Sequence, residues 1–292
     1  EIMPSLVGSE MCIRDRFNGG IGGDTAYDMN KRLDGDIFSK NPTVLMVTFG
    51  MNDSGYYEYN GDNAKEFGEQ KYQESIKNFQ QMEKRFKELP HTRIVMTGTS
   101  PYDETAQIKD NTVFKKKNET IKRIIEYQRE SAARNGWEFT DWNAPMVAIN
   151  QELQQKDPSF TLCGNDRIHP DNDGHMVMAY LFLKAQGFAG KDVANMEINA
   201  NKKQAVKAEG CTISNIKKIG KDISFDYLAE ALPYPLDTIA RGWGSKKSQA
   251  EVIKEVPFME EMNTELLKVT GLKGQYKLCL LYTSDAADEA RS

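Results

Sequence analysis

The chain lacks most of the signals by which a sequence announces a partner. It has no surplus of positive charge: 38 Lys and Arg stand against 43 Asp and Glu, a net charge of -5. Nothing electrostatic therefore draws it to nucleic acid or to an anionic membrane surface. It has no apolar run approaching the roughly 18 residues that span a bilayer, so membrane insertion is not expected. Its 4 cysteines, Cys12, Cys163, Cys211 and Cys279, show no CxxC or Cys/His spacing of a zinc site. Its 3 histidines are His91, His169 and His175. A site built from Asp166, His169 and His175 would be short of ligands, and no metal is expected. No GxxxxGK[ST] occurs, and Gly20-x-Gly22 leads to Thr25 where a dinucleotide-binding turn needs a third glycine. No cofactor is expected.

What is present suffices for a folded core. Apolar residues make up 39% and aromatics 10% of 292 residues, enough for one large or two modest domains. Residues 1–16 and 279–292 share no periodicity with their neighbours and resemble translated sequencing-adapter sequence. They are read as a non-native leader and tail and set aside.

Between them, strand and helix patterns alternate. Residues 43–49 (TVLMVTF) form a β-branched apolar run of the kind expected for a central parallel strand covered on both faces. Residues 71–89 carry Tyr72, Ile76, Phe79, Met82 or Glu83, Phe86 and Leu89 at helical steps before Pro90. Residues 93–98 read as a second strand and 113–134 as a second helix, with Ile121, Ile124, Ile125 and Ala132 on one stripe. A short strand over 137–140 and helices over 144–155 and 174–186 follow. This order is α/β with a parallel sheet. From 191 the texture changes to short strands, at 211–217, 222–228, 266–269 and 275–278, between glycine-bearing turns. The expected division is 17–190 and a β-rich accessory region over 191–278. Lys115, Lys116 and Lys117 read as a solvated helix face.

Ligands of open parallel sheets bind beyond the carboxyl ends of the strands. Three constellations fall there. Gly50-Met51-Asn52-Asp53 follows the first strand, where Asn52 could offer an N–H to a developing oxyanion, although the same residues also make an ordinary turn. Asn18-Gly19-Gly20-Ile21-Gly22-Gly23-Asp24-Thr25 opens a helix, with Thr25 and Asp28 at capping-box spacing and backbone N–H groups able to hold an anion. Asp166-Arg167-Ile168-His169-Pro170 precedes the last helix and pairs a histidine base with a carboxylate that can orient it.

In this order, Gly23 in GGIGGDT, Asn52 in GMND, and Asp166 and His169 in DRIHP resemble blocks II, III and V of the SGNH, or GDSL-type, hydrolases, over residues 17–188. The resemblance implies a flavodoxin-like three-layer αβα sandwich and a carboxylic ester hydrolase. In it a serine after the first strand attacks an ester, and His169 and Asp166 activate that serine. Gly23 N–H and the Asn52 side chain then line the oxyanion hole. The family's GDS block should stand a few tens of residues before Gly23. Ser9 lies too close in sequence to Gly23 to fill that place, so the serine and first strand are expected to be missing, and the chain as it stands to lack esterase activity. No GxSxG is present, which argues against the α/β-hydrolase alternative.

Residues 54–70 form a polar stretch in which Tyr56, Tyr57 and Tyr59 could stack on sugar rings, with Trp142 and Asn143 as further wall residues. Similar proteins with a β-rich extension are often bacterial and exported, so a periplasmic or extracellular carbohydrate O-acyl esterase is the favoured reading. A lipase, lysophospholipase or aryl esterase, or a non-catalytic glycan-binding protein, are the alternatives.

Overall fold

The computed structural model describes residues 16–109, 112–242, 244 and 246–280. The expected leader and tail therefore lie almost wholly outside the described residues. The chain divides into two compact units, one running through residue 189 and taking in 236–258, the other formed by 190–235 and the residues from 259 onward.

The first unit is α/β. Helix α1 (Ala26–Arg32) leads through a π turn and a 3-10 turn into β1 (Val44–Phe49), then α2 (Ala64–Phe86), β2 (Arg93–Gly98), α3 (Lys117–Asn135), β3 (Glu138–Asp141), α4 (Asn143–Gln154) and α5 (Asn172–Ala185). The strands form a parallel sheet in the order β1-β2-β3, with Val44 opposite Arg93 and Val95 opposite Glu138. Parallel pairing follows from the helical crossovers, since consecutive parallel strands need a long connection. Helix α3 ends where Gly136, at φ +67°, takes the left-handed conformation and its N–H reaches back to the carbonyls of Ala132 and Ala133.

Val47 and Phe49 of β1, Ile94 and Met96 of β2, Phe79, Met82 and Phe86 of α2, Ile124 and Ala132 of α3 and Ala26 of α1 form one apolar cluster. The helical stripes named from periodicity are thus the core. The strand at 44–49 departs from expectation. Among the described residues its neighbour is β2 alone, and its outer-face residues Val44 and Met46 are 51% and 47% exposed. The middle strand is β2, buried from Ile94 to Gly98. A continuous apolar run cannot by itself tell a central strand from one covered on a single face.

Helix α2 begins at Ala64, seven residues before its apolar stripe becomes regular, so residues 64–70 of the supposed polar loop are helix. Among the described residues no helix is long and apolar enough to cross a membrane.

Residues 236–258, expected in the accessory region, belong to the first unit. Gln249 Nε2 donates to Asn172 Oδ1 at 2.9 Å, Gly244 N–H donates to Asp171 at 2.6 Å, and the helix α6 (Gln249–Val252) is closed at its start by a Ser248/Glu251 capping box.

The second unit is strand-rich. Strand β4 (Ala194–Asn199) pairs antiparallel with β5 (Gln204–Glu209) and parallel with β8 (Glu265–Thr270), while β6 (Cys211–Ile219) and β7 (Asp222–Ala229) form a hairpin. Residues 275–278, expected as a strand, have no regular structure.

Phe79 is fully buried and its ring packs 5.0 Å from that of Phe49. Phe79→Ala should cost about 3–5 kcal/mol of unfolding free energy. A loss below about 1 kcal/mol in urea titration would show that this cluster is not the core.

Candidate active site

Strand β1 ends at Phe49, and Gly50, at φ +126°, turns the chain sharply. The turn closes on itself: Ser54 N–H donates to Gly50 O at 3.0 Å and Gly55 N–H to Asn52 O at 3.1 Å. Beneath it lies the buried carboxylate of Asp53. Its Oδ2 accepts from Gly50 N–H at 3.1 Å, and its Oδ1 accepts from Ala26 N–H and Ser75 Oγ, each at 3.0 Å. Burial raises its pKa, and these donors act against that rise.

The glycine-rich segment meets this turn. Gly23 has φ +88°, and Asp24 N–H donates to Ile21 O at 3.2 Å. Thr25 donates to Asp28 from both its N–H, at 3.2 Å, and its hydroxyl, at 2.6 Å. The Thr25 hydrogen bonds hold the Asp28 carboxyl below the usual range. The expected capping box is present.

Asn52 Nδ2 donates to the carbonyl of Asp24 at 3.0 Å, and Tyr56 O–H donates to Asn52 Oδ1 at 2.6 Å. These two bonds fix the amide's orientation, because a carbonyl can only accept and Oδ1 can only accept. One Nδ2 proton remains for a ligand, beside the residue that follows Gly23.

Asp166 and His169 form a closed pair. Asp166 Oδ2 sits 2.6 Å from His169 Nδ1, while its Oδ1 accepts from the N–H groups of Ile168 and His169 at 3.0 Å each. Partial burial works to raise the carboxyl, but the hydrogen bonds from His169 and Ile168 prevail and hold it low. With Nδ1 engaged, Nε2 is the nitrogen free to take a proton. Gly164, at φ +67°, lets the carbonyl of His169 approach where a Cβ would stand.

Arg167, between the pair, is 1% exposed and at φ +69°. It donates to the carbonyls of Asp103 and Ala106 at 3.0 and 2.7 Å, and its own carbonyl accepts from Asp103 N–H at 3.0 Å. Ile168 and Met51 both pack against the cluster of Tyr102, Ile121 and Ile125, which ties the histidine loop and the Asn52 turn to one apolar base. Burial pushes the Tyr56 phenol up to about 12, aided by the charges of Asp166 and Asp53.

The solvated-lysine reading fails at Lys117. It has no exposed surface, and its Nζ donates to Met51 O at 2.7 Å and to Ser54 Oγ and Gly55 O at 2.6 Å each. It also lies 3.8 Å from the centre of the Tyr56 ring. A signal existed: Lys117 stands four and seven residues before Ile121 and Ile124, on the buried stripe of α3. Burial pushes the ammonium down to about 7, with Asp53 and Glu104 resisting.

Tyr57 is 79% exposed, its ring edge-on to Phe114 at 5.5 Å. Tyr59, by contrast, is buried: it donates to Ser54 O at 2.8 Å and accepts from the Thr120 hydroxyl at 2.9 Å. Trp142 and Asn143 are not wall residues: both are buried, Trp142 donating to Met178 O at 3.1 Å and Asn143 to Asn118 Oδ1 at 3.0 Å. His175 is exposed on α5, and no group of three potential metal ligands exists among the described residues.

The family model described as GDSL-like Lipase/Acylhydrolase matches residues 2–177. The chain belongs to that family. It is by that membership a carboxylic ester hydrolase of the SGNH type. Solved structures similar to it include an acetylxylan esterase from Geobacillus stearothermophilus, at 22% identity and TM-score 0.45, covering 59% of this chain and 71% of that one. An acetyl xylan esterase named AlAXEase is similar at 22% identity and TM-score 0.43, covering 57% and 78%. No curated protein matches.

Lys117 carries a pH signature. Its folded pKa, about 7, lies below the ordinary 10.5, so between those values the unfolded chain holds a proton that the fold does not. Stability should therefore rise with pH across that window, and below it the fold bears the full cost of the buried charge. Urea midpoints at about pH 6 and about pH 9.5 should diverge between wild type and Lys117→Met, the wild type gaining at high pH. Parallel midpoints would refute the assignment.

Proposed function

We propose that this member of the family is a serine esterase that removes O-acyl groups, acetyl above all, from carbohydrate. The observation that carries it is the Asn52 amide, held nitrogen-outward by Tyr56 and by the carbonyl next to Gly23. The fixed Asp166–His169 pair completes the machinery.

In the reaction a serine hydroxyl attacks the ester carbonyl as His169 Nε2 takes its proton, and Asp166 stabilises the imidazolium. The carbonyl oxygen becomes an oxyanion and receives the N–H of Gly23, the free N–H of Asn52 and the serine's own N–H. Collapse expels the sugar alkoxide, which takes the proton from His169. Water then attacks the acyl-enzyme by the same steps in reverse and releases the acid. The attacking serine in this family precedes the Gly23 turn; Ser5 and Ser9, the serines before it here, lie outside the described residues.

The carbohydrate part of the reading rests on Tyr57, an exposed ring next to the residue that bonds Asn52. Flat, amphipathic ring faces suit sugar rings, and a polar surround suits a short acyl group. A lipase or aryl esterase on the same scaffold would prefer longer or aromatic esters.

Protein expressed from the complete gene tests both parts. Asn52→Ala should lower kcat by on the order of a hundred- to a thousandfold with KM little changed, since the N–H binds the transition state better than the ground state. An effect confined to KM would make Asn52 a binding or turn residue. Acetylated oligosaccharides should exceed esters of about eight carbons in kcat/KM, and Tyr57→Ala should cost the former more than small aryl acetates. A preference for the long chain would favour the lipase reading.

A further inference from the structure

We infer that Lys117 is a positioning residue for the oxyanion hole: its ammonium clamps the turn on both sides of Asn52, and the Tyr56 ring above it, so that Asn52 presents its amide N–H to the reacting oxygen. The inference rests on the reading of Asn52 as an oxyanion donor.

The geometry is that of a three-pronged clamp. An ammonium has three N–H bonds, and those of Lys117 end on Met51 O, Ser54 Oγ and Gly55 O. Met51 immediately precedes Asn52, and Ser54 and Gly55 close the turn after it. The remaining approach to Nζ is covered by the Tyr56 ring, and the Tyr56 hydroxyl donates to Asn52 Oδ1. One buried amine therefore holds the backbone before Asn52, the backbone after it, and the side chain that sets its amide.

The neutral amine keeps two N–H bonds, for Met51 O and Gly55 O, and can accept from the Ser54 hydroxyl in place of the third, so the clamp outlasts loss of the proton. Core packing does not call for an amine here. The next turns of the same stripe carry Ile121 and Ile124, and an apolar chain of similar length would fill the place without burying a charge. The charged and titratable groups that face Nζ are Asp53 from the turn, Glu104 from the loop before α3, and the phenols of Tyr56 and Tyr102. Among the described residues the hydrogen bonds of Nζ go to the turn, not to either carboxylate. The ammonium is satisfied by the turn itself, which is what a positioning device requires.

Epistasis separates this role from mere support of the fold. With p-nitrophenyl acetate and full-length protein, Lys117→Met should lower kcat about 10- to 100-fold while KM stays within about twofold. In an Asn52→Ala background the same change should cost less than about threefold, because the amide it positions is gone. Equal losses in the two backgrounds would overturn the clamp and leave Asn52 in its role. An Asn52→Ala enzyme with unchanged kcat would overturn the oxyanion reading and the clamp with it. Should Lys117→Met fail to fold by circular dichroism, Tyr56→Phe decides the matter: it keeps the ring over Nζ and removes the link to Asn52. Its kcat loss should likewise vanish in the Asn52→Ala background, and an additive loss would overturn the inference.

Discussion

The site depends on one buried carboxylate. Asp53 takes hydrogen bonds from Gly50 at the end of β1, from Ala26 at the start of α1, and from Ser75 in the middle of α2. Those three segments carry or adjoin the Asn52 turn, the Gly23 turn and the long helix beneath them. An ionised carboxylate with three donors is strongly held, whereas the same group deprived of one donor is a buried charge in deficit. The two halves of the proposed oxyanion hole come from sequence positions nearly thirty residues apart, and Asp53 links the segments between which Asn52 Nδ2 reaches the carbonyl of Asp24. Catalytic donors must be held in place before the oxyanion forms, since a donor that must reorganise during the reaction returns little of its strength.

Two buried ionisable side chains thus bracket a single turn. Asp53 lies against its start and Lys117 spans its whole length, and the Asp53 carboxylate resists the downward shift that burial imposes on Lys117. Neither relies on the other as a hydrogen-bond partner, because the turn's own N–H and C=O groups fill that role. Backbone donors point to the anion and backbone acceptors to the cation. The turn is therefore polarised by its two anchors, and its conformation is more closely specified than glycine and asparagine propensities would make it.

How much of this was legible depends on what each residue answers to. The α/β order was readable because Phe79, Met82 and Phe86, or Ile121, Ile124 and Ile125, repeat with the helical period that their burial demands. Asp166 and His169 were readable because three residues' separation lets a carboxylate bond both the ring and the backbone of the same histidine. The weak points have physical causes. Strand β4 (Ala194–Asn199) alternates buried and half-buried residues, but two asparagines and a glutamate hide the pattern. The return of residues 236–258 to the first unit is a long-range contact, which local spacing does not encode. Lys117 was misread because a run of three lysines suggests solvent, although only its neighbours on α3 reveal that one of the three faces inward. Local rules failed at a residue that touches the site, where a sequence is expected to depart from them.

The histidine loop shows the same economy from the backbone side. A non-glycine residue in the left-handed region costs roughly 1–2 kcal/mol, and Arg167 occupies it at φ +69° while fully enclosed. The conformation persists because the guanidinium reaches the carbonyls of Asp103 and Ala106, and Asp103 returns a hydrogen bond to the Arg167 carbonyl. That reversal of direction at Arg167 is what lets Asp166 and His169 face each other across the loop. A right-handed residue at 167 would carry His169 away from the carboxylate, so the strain and the dyad are one feature. Arg167, locked by its own guanidinium and carbonyl, therefore fixes the backbone from which Asp166 and His169 meet.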